Sequence, residues 1–124
     1  EMTSSLVGSE MCIETGVLIV AVPNCSSYDA GKYGEYWAAY DVPRHLWHFT
    51  PVTIQQLASK HGFIMAARHP MPFDAFYVSM LSEKHRGSSC SFLKGMYAGT
   101  LAWFSTLGRK ERSSSMIYVF RKKR

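Results

Sequence analysis

Acidic residues and cysteines are scarce in this chain, long apolar runs are missing, and each shortage removes a class of protein. Nine Asp and Glu stand against fourteen Lys and Arg, giving a net charge of +5 over 124 residues. With 47% apolar content, that balance excludes a charge-extended disordered chain and supplies enough material for one domain with a core. The cysteines, Cys12, Cys25 and Cys90, lie far apart, with no Cys-x-x-Cys pair and no grouping with histidine. That spacing argues against a structural zinc site or a disulfide framework, and reduced thiols in a cytoplasmic protein are the expectation. The longest apolar run, Gly16 to Pro23, falls well short of the roughly 20 residues a membrane-spanning helix needs. Nothing near the N-terminus has the basic flank and long apolar core of a secretory signal. Internal repeats and low-complexity tracts are lacking too.

The positive charge is concentrated rather than spread. Seven of the fourteen basic residues lie between Arg109 and Arg124, opposed only by Glu111. Two readings stay open: a solvated basic terminus, or a patch that docks on RNA or an anionic membrane. No aromatic interleaving strengthens the nucleic-acid reading.

Local patterns give an α/β order. Val17 to Val22, VLIVAV, is a continuous β-branched and apolar run between Gly16 and Pro23, as in a strand covered on both faces of a parallel sheet. Asn24 to Tyr36 lacks periodicity and reads as a loop or short irregular helix. Thr50 offers an N-cap hydroxyl, Pro51 suits the first helical position, and Ile54, Leu57 and Ala58 form one face. A helix from Pro51 to His61 follows, closed by Gly62, with Phe63 packing back. Phe63 to Ala67 is the second strand, ended by Arg68, His69 and Pro70. Phe73, Phe76, Tyr77, Met80 and Leu81 repeat at helical spacing, as do Phe92, Leu93, Met96, Tyr97, Thr100, Leu101 and Phe104. Two amphipathic helices are expected there, with a turn near Gly87 to Ser89. Ser113 to Ser115 reads as a turn, and Met116 to Phe120 as a buried last strand. Such alternation predicts an α/β sheet whose first two strands run parallel through a right-handed crossover.

Ligands of open α/β sheets collect beyond the carboxyl ends of the strands, where Pro23 and Asn24 would stand. The segment they launch, Trp37 to Thr50, WAAYDVPRHLWHFT, is dense in chemistry. Trp37 and Tyr40 offer apolar walls, Asp41 and Arg44 offer charge, and Arg44 can clamp a carboxylate or phosphate. His45 and His48 belong to the side-chain type that exchanges a proton near neutral pH. In the plainer reading Arg44 pairs with Asp41, Trp37 and Trp47 are core, and the histidines cap carbonyls. A metal site is not expected, since only Asp41 accompanies the two histidines. Cys25 reads as a small packed thiol, and His61, His69 and His85 carry no motif.

The order and wording of these segments resemble the second half of class I S-adenosylmethionine-dependent methyltransferases. The match runs through a Gly-ended strand finishing in Pro-Asn, Gly16 to Asn24, then Trp37, Asp41 to Leu46, His48 to Thr50, and Gly62 with Phe63. Phe73 to Lys84 and Ser114 to Lys122 resemble a subgroup with two extra helices before the last strand. The resemblance implies a Rossmann-like sheet of order 3-2-1-4-5-7-6, of which this chain would hold strands 5-7-6, the last one antiparallel. It implies His45, His48 and Arg44 as catalytic, Trp37, Tyr40 and Asp41 as binding a small-molecule or other methyl acceptor, and Asn24 as a lesser contact to S-adenosylmethionine. The family's glycine-rich turn has no counterpart here, so the main cofactor site is expected in a missing N-terminal half, and this piece alone is expected to be inactive. A nucleotide-using transferase with a strand-end site is a rival of the same fold class. Finally, Ser4 to Ile13, SSLVGSEMCI, resembles translated sequencing-adapter DNA. Residues 1–13 are therefore expected to be a non-native or linker segment and residues 14–124 the domain.

Overall fold

A computed structural model describes residues 16–123. The expectations for residues 1–13, Cys12 among them, lie outside the described residues. In chain order come β1 (Val17–Pro23), α1 (Tyr28–Tyr33), α2 (Pro51–Lys60), β2 (Phe63–Met71), α3 (Asp74–His85), α4 (Ser91–Gly108) and β3 (Ser115–Lys122). Single 3₁₀ turns sit at Gly34–Tyr36, Ala38–Tyr40 and Lys110–Arg112.

The sheet is three-stranded with order β1-β3-β2. β3 lies in the middle and runs antiparallel to both neighbours, with Val20 opposite Tyr118 and Met65 opposite Phe120. β1 and β2 therefore point the same way without bonding to each other. The common direction of β1 and β2 and the antiparallel last strand agree with the expectation, whereas the reading of Val17 to Val22 as a strand paired in parallel and covered on both faces is corrected. Every β1 residue is half-buried, and on β3 only Met116, Tyr118 and Phe120 of the alternating apolar set are fully enclosed, while Ile117 and Val119 are not. One face is covered, and the cover is α2.

That helix forms for local reasons. Thr50 Oγ1 accepts from Thr53 N–H, Thr53 Oγ1 accepts from Thr50 N–H at 2.8 Å, and Pro51 fills the first turn where its missing N–H is not needed. Gly62 follows at φ +81°, a left-handed value that releases the chain into β2. Ile54 and Ala58 then pack on Met116, Tyr118 and Phe120, with Leu18, Val20, Val22, Phe63 and Met65 closing the cluster. Each large side chain so enclosed contributes about 1.5–3 kcal/mol.

β2 runs on through Arg68, His69 and Pro70, past the predicted stop, with an irregularity between Met65 and Ala67. The extension is tolerated because β2 is an edge strand, where a proline's lost N–H costs no ladder bond on the outer side.

A second cluster joins α1, α3 and α4: Ala30, Tyr33, Trp37, Ala39, Val78 and Ala98, flanked by Cys25, Ala38 and Tyr40. Both predicted amphipathic helices exist, and the expected faces are split: Phe76 and Met80 of α3 are half-buried against Gly99 and Gly95 of α4, whereas most of the other large residues of the pattern face out. The buried residues are Ala75, Val78, Ser79, Ser82 and Glu83 on α3 and Gly95, Ala98, Gly99, Ala102 and Thr106 on α4. Phe73, Tyr77, Phe92, Leu93, Met96, Tyr97 and Phe104 point outward. On α4 small residues take the interface, because they let the α3 backbone at Phe76 and Met80 approach closely. A Cβ on Gly95 would lie 2.6 Å from Met80 Cα, and one on Gly99 2.8 Å from Phe76 Cα.

Candidate functional site

The antiparallel register sets Pro23 opposite Ser115 and Met71 opposite Ser115, so the carboxyl ends of β1 and β2 and the start of β3 share one rim. From that rim the chain leaves at Asn24 and comes back at Phe49. A bridge pairs Asn24 with Phe49 in parallel, and Cys25 N–H donates to the Phe49 carbonyl at 3.1 Å. The whole predicted site segment is thus an arch rooted on one spot of the rim.

Asn24 is the keystone of the root rather than a ligand contact. It is fully buried, its Nδ2 donates to the carbonyls of Glu111 (2.6 Å) and Ser113 (3.0 Å), and its Oδ1 accepts from Ser26 N–H and Oγ. With both ends of the amide engaged, the group has nothing left to offer a cofactor, which corrects that expectation. Cys25 Sγ lies 3.2 Å from the Phe49 carbonyl, and burial, partly offset by a hydrogen bond to its own backbone, pushes its thiol pKa up. A raised thiol is a poor nucleophile, as its packed reading anticipated.

Trp37, expected on the acceptor wall, belongs to the core at 2% exposure. Its Nε1–H donates to Asp29 Oδ2 at 2.9 Å, and its ring meets Tyr40 edge-on with centroids 5.0 Å apart. With its ring packed and its N–H satisfied, this indole is part of the core. Trp47 takes the opposite place, 80% exposed.

Of the other predicted site residues, Arg44 and His48 are exposed, Asp41 and His45 are half-buried, and Tyr40 is half-buried against the core; their contacts are two separate pairs, Tyr40 with His48 and Asp41 with Arg44. Tyr40 also meets the His48 ring edge-on, with centroids 4.8 Å apart. Asp41 sits in left-handed backbone (φ 42°, ψ 45°), which turns the chain, and its Oδ1 accepts from Arg44 Nε (3.1 Å) and Nη2 (2.8 Å). The ion pair is shallow: the Arg44 side chain is 80% exposed, so it contributes little to stability. The same exposure leaves the remaining guanidinium hydrogens available to an anion. His45 Nδ1 lies 3.5 Å from the Ala39 carbonyl, and a hydrogen on that nitrogen leaves the Nε2 lone pair free.

Beneath the arch lies a polar cluster that the sequence did not announce. Asp29, on α1, is buried, and its Oδ2 accepts from both Trp37 and Ser114 Oγ (2.6 Å). Asp29 Oδ1, Ser79 Oγ and Ser113 Oγ are enclosed without a protein partner. Tyr33 donates to Glu83 Oε1 at 3.1 Å. Burial first, and the Glu83 carboxylate second, hold the Tyr33 phenol well above its ordinary range. Ala38 N–H donates to Ser82 Oγ, tying the arch to α3. Ser113 to Ser115, expected as a plain turn, are buried connectors of this cluster. Ser27 accepting from Ala30 N–H ahead of Asp29 is a helix start that sequence could have shown; the burial of Asp29 had no local signal.

Among the described residues, no group of three or more His, Cys, Asp and Glu side chains is placed to hold a metal ion. No helix of the described residues is long and apolar enough to cross a membrane. Comparison with protein-family models, curated proteins and solved structures finds no match to the chain.

Proposed function

We propose that this chain is the C-terminal half of a cytoplasmic class I S-adenosylmethionine-dependent methyltransferase domain and supplies the acceptor side of its active site. In this reading β1, β3 and β2 are the 5-7-6 part of a larger sheet. The observation that carries it is the arch: the Asn24–Phe49 bridge fastens the two ends of the segment between them to the carboxyl rim of β1, and Arg44 and His48 are exposed on it, with Tyr40 and His45 half-buried. The half-covered sheet and the outer edge of β1 support the same reading, since a larger sheet would continue there.

Residues 16–123 do not fit S-adenosylmethionine by themselves. No glycine-rich turn occurs among them, and the Asn24 amide is spent within the protein. The chain's own contribution is to the acceptor. Arg44, steered by Asp41, orients an anionic group, Tyr40 lends an apolar edge, and His48 or His45 Nε2 takes the proton that an acceptor hydroxyl or amine must lose.

The test is made on the longer gene that contains this segment. A strand followed by a glycine-rich turn upstream of residue 1 is expected; a phosphate-binding loop with lysine would favour the nucleotide-using rival. In the longer protein, Arg44→Ala, His45→Ala or His48→Gln should lower methyl transfer by about 10²-fold while the fold survives. Undiminished turnover in all three removes the arch from the chemistry.

A further inference from the structure

The outward face of α4 and a cationic cleft beside it carry an inference independent of the methyl-transfer reading. α4 has one charged residue, Lys94, in 18. At the α-helical period Phe92, Leu93, Met96, Tyr97, Phe104 and Leu107 fall within about 140° of arc, opposite the small residues that pack on α3. Leu93 is 69% exposed and Tyr97 67%. The stripe is roughly 22 Å long at the helical rise. A monomer rarely leaves so much contiguous apolar surface without a use.

Where this stripe begins, a cleft of ≈640 Å³ opens between α1, the end of α3 and α4. Lys32, Arg86 and Lys94 line it, with Leu93 and Tyr97 shared between cleft and stripe. Lys32 Nζ stands 5.9 Å from the Tyr97 ring. The one carboxylate on its wall, Glu83, is buried and accepts from Tyr33. Ser88 Oγ, also lining the cleft, has no protein partner. Among the described residues, ion pairs join only Arg44 to Asp41 and Arg68 to Glu111, so the three cleft cations are uncompensated by salt bridges. Arg109, Lys110 and Arg112 follow at the far end of the stripe.

We propose that this face docks on the surface of an anionic phospholipid membrane, with α4 lying in the plane of the interface and a lipid phosphate held by Lys32, Arg86 and Lys94. Charge complementarity selects this occupant. Cations frame the apolar stripe at both ends and no free carboxylate lies on it, the arrangement that suits a boundary where acyl chains are ringed by anionic headgroups. A helix of this kind lies on a bilayer and does not cross it, in keeping with its length and apolarity. Tyr97 is of the type that settles at the headgroup level, and Phe92 and Phe104 suit the apolar side of such a helix.

The experiment is flotation of the full chain with phosphatidylcholine vesicles, with and without phosphatidylserine, across a salt series. Binding is expected to the anionic vesicles, to weaken with salt, and to fall by about 5-fold for each of Lys94→Gln and Arg86→Gln, the loss of one near-surface cation. Leu93→Ser with Phe104→Ser should abolish flotation while the circular dichroism spectrum is retained. Three results would overturn the proposal: equal flotation with neutral vesicles and with anionic ones, undiminished binding in the Lys94 and Arg86 variants, or loss only when Arg121, Lys122 and Lys123 are neutralised, which would assign the contact to the C-terminal strand. Protection of the cleft by inorganic phosphate without vesicle binding, or RNA binding with the same salt slope and no flotation, would equally sink it.

Discussion

The sheet half and the helical half of this molecule use their large side chains in opposite ways. In the first, Met116, Tyr118 and Phe120 are enclosed under α2, and big residues make the core. In the second, the glycines of α4 receive Phe76 and Met80 of α3, while Phe92, Leu93, Tyr97 and Phe104 of α4 face out. Periodicity identifies an apolar stripe in both halves, but only in the first does the stripe point at the protein. A helix pattern reports that one face differs from the other; which face is covered depends on what else is there to cover it.

The sharpest way to break this comparison is to cut a large residue from the sheet half. Phe120→Ala should cost about 3–5 kcal/mol, because transfer energy and cavity add at a site with almost no exposure. Denaturant titration of the full chain measures it. A cost near zero would mean that the α2 cluster does not hold the sheet.

Next in size is a pH effect that touches both halves. Burial raises the Tyr118 phenol to about 12, with Arg68 pulling the other way and Cys25 and Glu111 adding to the rise. Tyr33 in the helical half is raised further, by burial and by Glu83. Below about pH 10 both phenols are protonated in folded and unfolded chains alike, and the shift has no effect. Above it the unfolded chain releases protons that the fold retains, so stability falls as pH rises toward 12. Each unit for each phenol is worth about 1.4 kcal/mol. Tyr118→Phe should flatten the alkaline loss measured by urea midpoints, and an unchanged pH slope would count against the enclosure of that phenol.

Gly95→Ala comes third and sets two effects against each other. Alanine is the better helix former by about 1 kcal/mol, so on an open face the change would stabilise. Here the new Cβ meets Met80 backbone at 2.6 Å, and overpacking of about 1–3 kcal/mol wins. The expected outcome is a lower melting temperature; a higher one would show that α3 and α4 are not in this close contact.

Much of the framework is legible in the sequence. Thr50, Pro51 and Gly62 are residues whose local chemistry dictates a helix start and stop, and α2 forms between them. VLIVAV and MIYVF are strands because β-branched runs of that length, bounded by breakers, have few alternatives. The arch was readable as a segment but not in its detail. Asp41 pairs with Arg44 and Tyr40 meets His48, whereas Trp37 and Asn24 are buried because indole and amide both find buried partners. Those partners, Asp29 and the Glu111 and Ser113 carbonyls, come from far along the chain, and no local pattern encodes a long-range hydrogen bond. Pro70 inside β2 misled for a related reason: whether a strand lies at an edge is decided by the strand added last.

The smallest expected effect is the one that most directly tests the contrast. Phe104 has the same side chain as Phe120 but is 58% exposed on the outward face of α4. Phe104→Ser should change stability by no more than about 0.5 kcal/mol, as surface substitutions do. Serine and phenylalanine are near-equal helix formers, so that change is chiefly the lost ring contact with Trp103, whose centroid lies 5.3 Å away. If Phe104→Ser instead cost as much as Phe120→Ala, the stripe would be covered in the free chain, and the large residues of the helical half would be doing the same task as those of the sheet half. A near-neutral result leaves them with no role in folding, and the reason for a row of large apolar side chains on that face must then be sought in what the face touches.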